Sequence, residues 1–172
     1  MTVRISNTIV SYLLSIIVAL CTLVPCGCDQ GLAPEPAAPS THVYGIRGVI
    51  TFKNWPPADS VRDLRLAVLQ NYPVENLVNE VLLGRARFTD RLPYGLDSIA
   101  YTLTLTPLPP GRFPLVGVAQ QYGPNQLSDW RVVGVFFANG DTTRPGAIDV
   151  PPDSIVSGID VHVDFQHLPP QP

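Results

Sequence analysis

The chain has 172 residues, 45% of them hydrophobic, with 19 prolines and a formal charge of −3 from 11 Lys+Arg against 14 Asp+Glu. A mildly acidic chain whose one lysine is Lys53 lacks the basic face that nucleic-acid binding requires, so no nucleic-acid partner is expected. Pro25 is the first proline and all the others follow it, which disfavours long helices and favours strands joined by rigid loops.

Residues 1–8 are short and polar, with Arg4 as their only charge. Residues 9–24 (IVSYLLSIIVALCTLV) then form an uncharged, mostly apolar run of about 16 residues, short of the roughly 20 that a helix needs to cross a bilayer core. Pro25-Cys26-Gly27-Cys28-Asp29 follows at once, and a positive start, an apolar middle and a small-residue junction predict a signal peptide over residues 1–27. An uncleaved N-terminal anchor helix is the alternative. All three cysteines, Cys21, Cys26 and Cys28, sit in this segment, so the rest of the chain has no disulfide, no cysteine zinc site and no thiol nucleophile. The cysteine cluster resembles the junction of bacterial lipoproteins, where a small-residue lipobox precedes a cysteine that is lipidated and becomes the mature N-terminus. That resemblance implies lipidation at Cys28, with Cys26 as the alternative, and export to the bacterial cell envelope with a lipid anchor in the membrane. An ordinary signal-peptidase cut is the competing reading. Residues 28–43, with the proline-rich island QGLAPEPAAPST at 30–41, cannot bury a core and read as a semi-rigid tether.

The remainder, residues 44–168, reads as one small all-β domain. Residues 44–52 place Ile46, Ile50 and Phe52 on one face against Arg47, Val49 and Thr51, and Gly45 and Gly48 suggest a bulge or a close backbone approach. Residues 61–69 alternate Leu64, Leu66 and Val68 with Asp63, Arg65 and Ala67 and read as a strand, with a helix as the alternative that the leucines leave open. Residues 76–83 fit a short helix bounded by Pro73 and Gly84, with a strand or an irregular crossover as the alternative, and 86–88 continue as a short strand. Residues 98–106 alternate Ile99, Tyr101, Leu103 and Leu105 with threonines. Pro107 to Gly111 turn the chain, and 112–121 return as one strand. Residues 131–138, 147–150 and 155–165 complete the set, the last with Ile159, Val161, Val163 and Phe165 inward and Asp160, His162 and Asp164 outward. Residues 168–172 read as a frayed tail. About seven strands at this spacing predict a small antiparallel β-sandwich.

The run Pro109-Pro110-Gly111-Arg112-Phe113-Pro114-Leu115-Val116-Gly117-Val118-Ala119 resembles a hairpin of the prealbumin-like, carboxypeptidase-regulatory domains. Residues 46–52 (IRGVITF) are similar to the first strand of that family and 157–163 (SGIDVHV) to its last. The resemblance implies a prealbumin-like sandwich and an accessory role, stabilising or presenting neighbours and in some members binding ligands, without a shared catalytic set.

Candidate sites are few. Asp160, His162 and Asp164 share a strand face at i, i+2, i+4, about 6.5 Å apart, which is metal-ligand chemistry in kind, against the reading of a solvated polar face. Trp55, Tyr72, Tyr94, Tyr122 and Trp130 fall in loops or at strand ends. Trp55, Tyr122 and Trp130 are the candidates for a platform recognising sugar or protein, against the reading that they cap a sandwich core. His42 lies in the tether and His167 in the tail, and no G-x-S-x-G elbow or phosphate-cradling glycine loop occurs. No catalytic residue and no cofactor is expected. The predicted role is non-catalytic interaction or presentation among envelope proteins. Small-ligand or glycan binding through the loop aromatics is the alternative, and hydrolase chemistry comes third.

Overall fold

The structure is a computed structural model that describes residues 43–171; the signal segment, Cys21, Cys26, Cys28, the tether and His42 lie outside the described residues. The strands are β1 (Gly45–Lys53), β2 (Asp63–Leu69), β3 (Ala86–Phe88), β4 (Ser98–Thr104), β5 (Gly111–Phe113), β6 (Leu115–Gln121), β7 (Trp130–Val135), β8 (Ile148–Val150), β9 (Ile155–Val156) and β10 (Val161–Asp164). Among the described residues one short α-helix, α1 (Leu77–Leu82), joins them, so the domain is all-β with a lone α-helix where the periodicity of residues 76–83 placed it.

The main sheet runs β3-β2-β6-β7-β10-β1-β4, with β9 also on β1, while β5 and β8 form a separate two-stranded sheet. The main sheet curls over one core, to which both halves contribute: Ile46, Ile50 and Phe52 from β1, Leu64, Leu66 and Val68 from β2, Val116 and Val118 from β6, and Val161 and Val163 from β10. The contact between β7 and β10 is short, with only Val135↔His162 and Gly134↔Val163 paired. Gly134 permits the close approach of β10: a β-carbon there would lie 2.7 Å from Val163 Cγ2 and 2.8 Å from the His162 carbonyl oxygen. The sheet departs from an antiparallel arrangement at β1, which runs parallel to both β9 and β10. The whole domain intervenes between these strands, which supplies the long crossover that a parallel pair needs.

Two long sequence segments each divide. Residues 112–121 become β5 and β6, in different sheets, because Pro114 has no N–H to continue a ladder. The Pro109–Ala119 motif is therefore a strand that changes sheet, not a hairpin. Residues 155–165 become β9 and β10, parted at Gly158, whose φ of 79° breaks the extended chain.

β6 is buried along all seven residues because both of its faces are covered. Its inner face meets the core. Its outer face joins Leu69, Val132 and Val135 under Val74, Leu77 and Phe137. α1 is too short to persist alone. The Asn76 side chain caps it by accepting from the Val78 and Asn79 N–H groups, and Gly84, at φ 68°, ends it. Buried Glu80 then clamps it, accepting from Arg85 through two nitrogens (2.6 and 3.0 Å) and from Asn71 Nδ2 at 3.0 Å.

The expected frayed tail is instead tied down as far as Gln171. Its side-chain amide accepts from Val132 N–H at 2.9 Å and donates to Val132 C=O at 3.0 Å, supplying partners to β7 beyond the reach of β10. Leu168 packs on the core beside it.

Candidate functional site

Trp130 opens β7 opposite Gln121, the last residue of β6, so the strand register brings Tyr122 and Trp130 to the two ends of one connecting loop. That loop is held by Asp129, whose carboxylate accepts from Asn125 N–H and Ser128 Oγ and whose carbonyl accepts from Tyr122 N–H. Gly123 lets it close: a β-carbon there would lie 2.2 Å from Asp129 Oδ2. The Arg131 guanidinium stands 5.5 Å over the Tyr122 ring and donates to Gln120 Oε1 at 3.0 Å. Gln120 is fully buried, and its Nε2 donates to Ser60 C=O at 2.8 Å, which fixes this chain of contacts to the body of the domain.

Two hollows adjoin Trp130. One, of about 480 Å³, has Val74, Asn76, Leu77, Val78, Tyr122, Leu127, Trp130, Arg131 and Gln171 among its lining residues. The other, of about 370 Å³, is more apolar: Ala67, Leu69, Leu77, Val78, Val81, Phe88 and Trp130 line it together with Asp63, Arg65, Gln121 and Gln126. Leu77, Val78 and Trp130 belong to both, so α1 and the tryptophan form the ridge between them. The last residues around α1 face water: Val81 is 38%, Leu82 72% and Leu83 61% exposed, and Leu127 stands exposed at the rim of the larger hollow. Neither α1 nor its ridge was among the sequence candidates. The one signal for it was the apolar excess of NLVNEVLL, more than a helix with one buried face needs.

Of the three loop aromatics singled out from the sequence, the structure thus joins Tyr122 and Trp130 and separates Trp55. The Trp55 ring is enclosed by Phe52, Tyr94 and Phe165, with centroids 4.7 to 4.8 Å away, and its indole N–H donates to Leu96 C=O. It caps the core. Tyr94 packs there too and donates to Pro56 C=O, while Tyr72 stands partly exposed.

Asp160, His162 and Asp164 face outward as expected, but each is engaged by β1 or the loop that follows it. Asp160 Oδ1 accepts from Val49 N–H at 2.8 Å, and His162 Nδ1 lies 2.5 Å from Thr51 Oγ1. Asp164 accepts from Asn54 Nδ2, Gln166 N–H and His167 Nδ1. Among the described residues no group of three His, Cys, Asp or Glu side chains gathers in a way that could hold a metal ion. Lys53, His162, Asp164 and His167 line a hollow of about 360 Å³ under Pro169 and Pro170. There Thr51–His162 and Asp164–His167 form two separate pairs with no bond between them, so the carboxylate does not orient the imidazole that meets the hydroxyl.

The three donors, Asn54 foremost, then the Gln166 amide and His167, hold the Asp164 carboxyl down at about 2. A depressed folded-state value means stability that is present above the ordinary carboxylate value and lost as pH falls toward the folded one. Asp164→Asn is therefore expected to be less stable than the wild type at neutral pH, with the gap closing between about pH 4 and pH 2. Urea melts of both proteins across that window check it, and a gap that stays constant to pH 2 refutes the assignment.

Comparison with protein-family models, with curated proteins and with solved structures finds no match to this chain. The functional reading therefore rests on the residues themselves.

Proposed function

We propose that this is an exported, lipid-anchored protein of the bacterial cell envelope whose β-domain, of the prealbumin-like kind, is a non-catalytic protein-interaction module. The observation that carries the interaction role is the rigid apolar ridge of α1. Leu82 and Leu83 project into water beside a hollow walled by Leu77, Val78, Phe88 and Trp130, and the Glu80 clamp holds the helix that presents them. A contiguous exposed apolar patch on a fixed element marks a protein contact. The anchor rests on the Cys26–Cys28 junction and the proline-rich tether.

Two experiments test the reading. Radiolabelled palmitate is expected to enter the wild type and not Cys28→Ala; a wild type that takes up no label removes the anchor. A photo-crosslinking residue at Leu82 is expected to give a discrete adduct in native envelopes, and none when Leu83→Lys is added. An adduct unaffected by the lysine, or equally strong from Asp149 on β8, removes the ridge as the contact. The second reading, a small ligand or glycan in the larger hollow, is favoured by the convergence of Tyr122 and Trp130. It requires tryptophan quenching on titration with sugars, lost in Tyr122→Ala.

A further inference from the structure

The two edges of the main sheet are built differently. β3 is three residues long with Arg87 at its centre, and Arg85 precedes it: a short, charged edge that discourages pairing. β4 is seven residues long, carries no charge, proline or glycine, and keeps unbroken register with β1 from Ser98 to Thr104. Among the described residues no strand pairs with its other side.

The phase of the β1–β4 ladder decides which groups point outward. Leu105 N–H donates to Tyr44 C=O and Phe52 N–H to Asp97 C=O, so the odd-numbered residues of β4 exchange bonds with β1. Ser98, Ala100, Thr102 and Thr104 then direct their N–H and C=O groups to the free edge. Arg87 Nε reaches the Thr104 carbonyl at 3.4 Å, closing that end and leaving Ser98–Ala100–Thr102 open. The side chains of these three are exposed, small and neutral.

We propose that this edge pairs with the same edge of a second copy of the chain, antiparallel, about a two-fold axis through Ala100. That register sets Ala100 against Ala100 and Ser98 against Thr102, with up to about six new main-chain hydrogen bonds. The neighbouring strand argues for a copy of itself. Val49, opposite Ala100 on β1 and 39% exposed, falls in a row Val49–Ala100–Ala100–Val49 that is apolar across the axis and covers it. In the flanking rows Arg47 lies beside Thr102, which meets Ser98 of the copy beside its Thr51, so the two Arg47 side chains stand in different rows. No like charges oppose one another. Isologous pairing of this kind closes at two subunits.

Sedimentation of the full chain in density-matched detergent tests this. The wild type is expected to show a concentration-dependent monomer–dimer equilibrium. Ala100→Lys places two ammonium groups on the axis, and Thr102→Pro deletes an outward N–H while leaving the bonds to β1 in place. Both are expected to weaken dimerisation at least tenfold, with circular dichroism unchanged. Thr104→Lys, outside the paired run, is expected to dimerise as the wild type does. A wild type that stays monomeric at every concentration overturns the proposal, as does a dimer that survives Ala100→Lys. If Thr102→Pro fails to fold, Ala100→Lys decides alone.

Discussion

Gly48→Ala is expected to destabilise the domain by about 3 kcal/mol or more, enough to unfold a large fraction of a small domain at moderate urea. Gly48 lies on β1 between the stretch paired with β9 and the stretch paired with β10, opposite the arch of residues 157–160. The Ile159 carbonyl sits over it: a β-carbon on Gly48 would lie 2.1 Å from that oxygen and 2.6 Å from its carbon. Both are backbone atoms, so no side-chain rotation relieves the clash. Lifting the arch would also break Ile159 N–H to Arg47 C=O and the 2.6 Å bond from the buried Tyr101 hydroxyl to the Ile159 oxygen. An orphaned buried hydroxyl adds about 1–3 kcal/mol to the overlap. Gly84→Ala is the comparison. Its φ is 68°, but nothing stands within 4 Å of the added methyl, so the loss should stay near 1–2 kcal/mol. Urea midpoints for the two variants check the ranking, and a Gly48→Ala protein as stable as Gly84→Ala would refute the close-approach account.

That glycine pair shows where sequence reading works and where it stops. Gly45 and Gly48, spaced in an alternating strand, signalled a bulge or a close backbone approach, and the structure gives the approach, to the oxygens of Leu103 and Ile159. The faces of β1, β2 and β4 were legible for the same reason: each has one side on the core and one toward water or a thin cover, so period two survives. β6 and β7 lack that contrast. In LVGVAQQ every residue is buried, and the cover over the outer face, α1 with its lead-in loop, is distant in sequence from β6.

The candidate site failed to be legible for a related reason. Tyr122 and Trp130 were visible as loop aromatics, but their convergence depends on Gln121 meeting Trp130, and the separation of Trp55 depends on Phe165 coming to it from the far end of the chain. The outward direction of Asp160, His162 and Asp164 could be read from alternation. That Val49, Thr51 and Asn54 already engage them could not, because it follows from β1 lying parallel to β10, a contact between the two ends of the domain. Local pattern fixes which way a side chain points; only non-local register fixes what it meets.

Phe113→Ala is expected to cost about 3–5 kcal/mol, whereas Arg112→Ala, one residue away, should leave the urea midpoint unchanged. Both lie on β5, and the contrast follows from Pro114. The chain pairs with β8 up to Phe113, cannot continue the ladder through a residue without an N–H, and resumes in the main sheet at Leu115. Phe113 is thereby driven inward. It is 1% exposed and belongs to the main core with Ile148 and Val150 of β8, so the two-stranded sheet is held to the domain chiefly by these three side chains. Arg112 points the other way, 3.9 Å from Asp149 with both side chains largely in water, where an ion pair is screened and contributes little. Removing the phenyl ring loses its transfer energy and leaves a void that the flanking strands cannot fill without moving. A two-stranded ribbon is not stable by itself, so β5 and β8 should also detach before global unfolding. Native-state hydrogen exchange reads this directly: in Phe113→Ala the amides of β8 should exchange well ahead of those of β6, while in Arg112→Ala the two strands should keep their wild-type order. Equal protection of β8 and β6 in the alanine variant would show that the small sheet is anchored by something other than this ring.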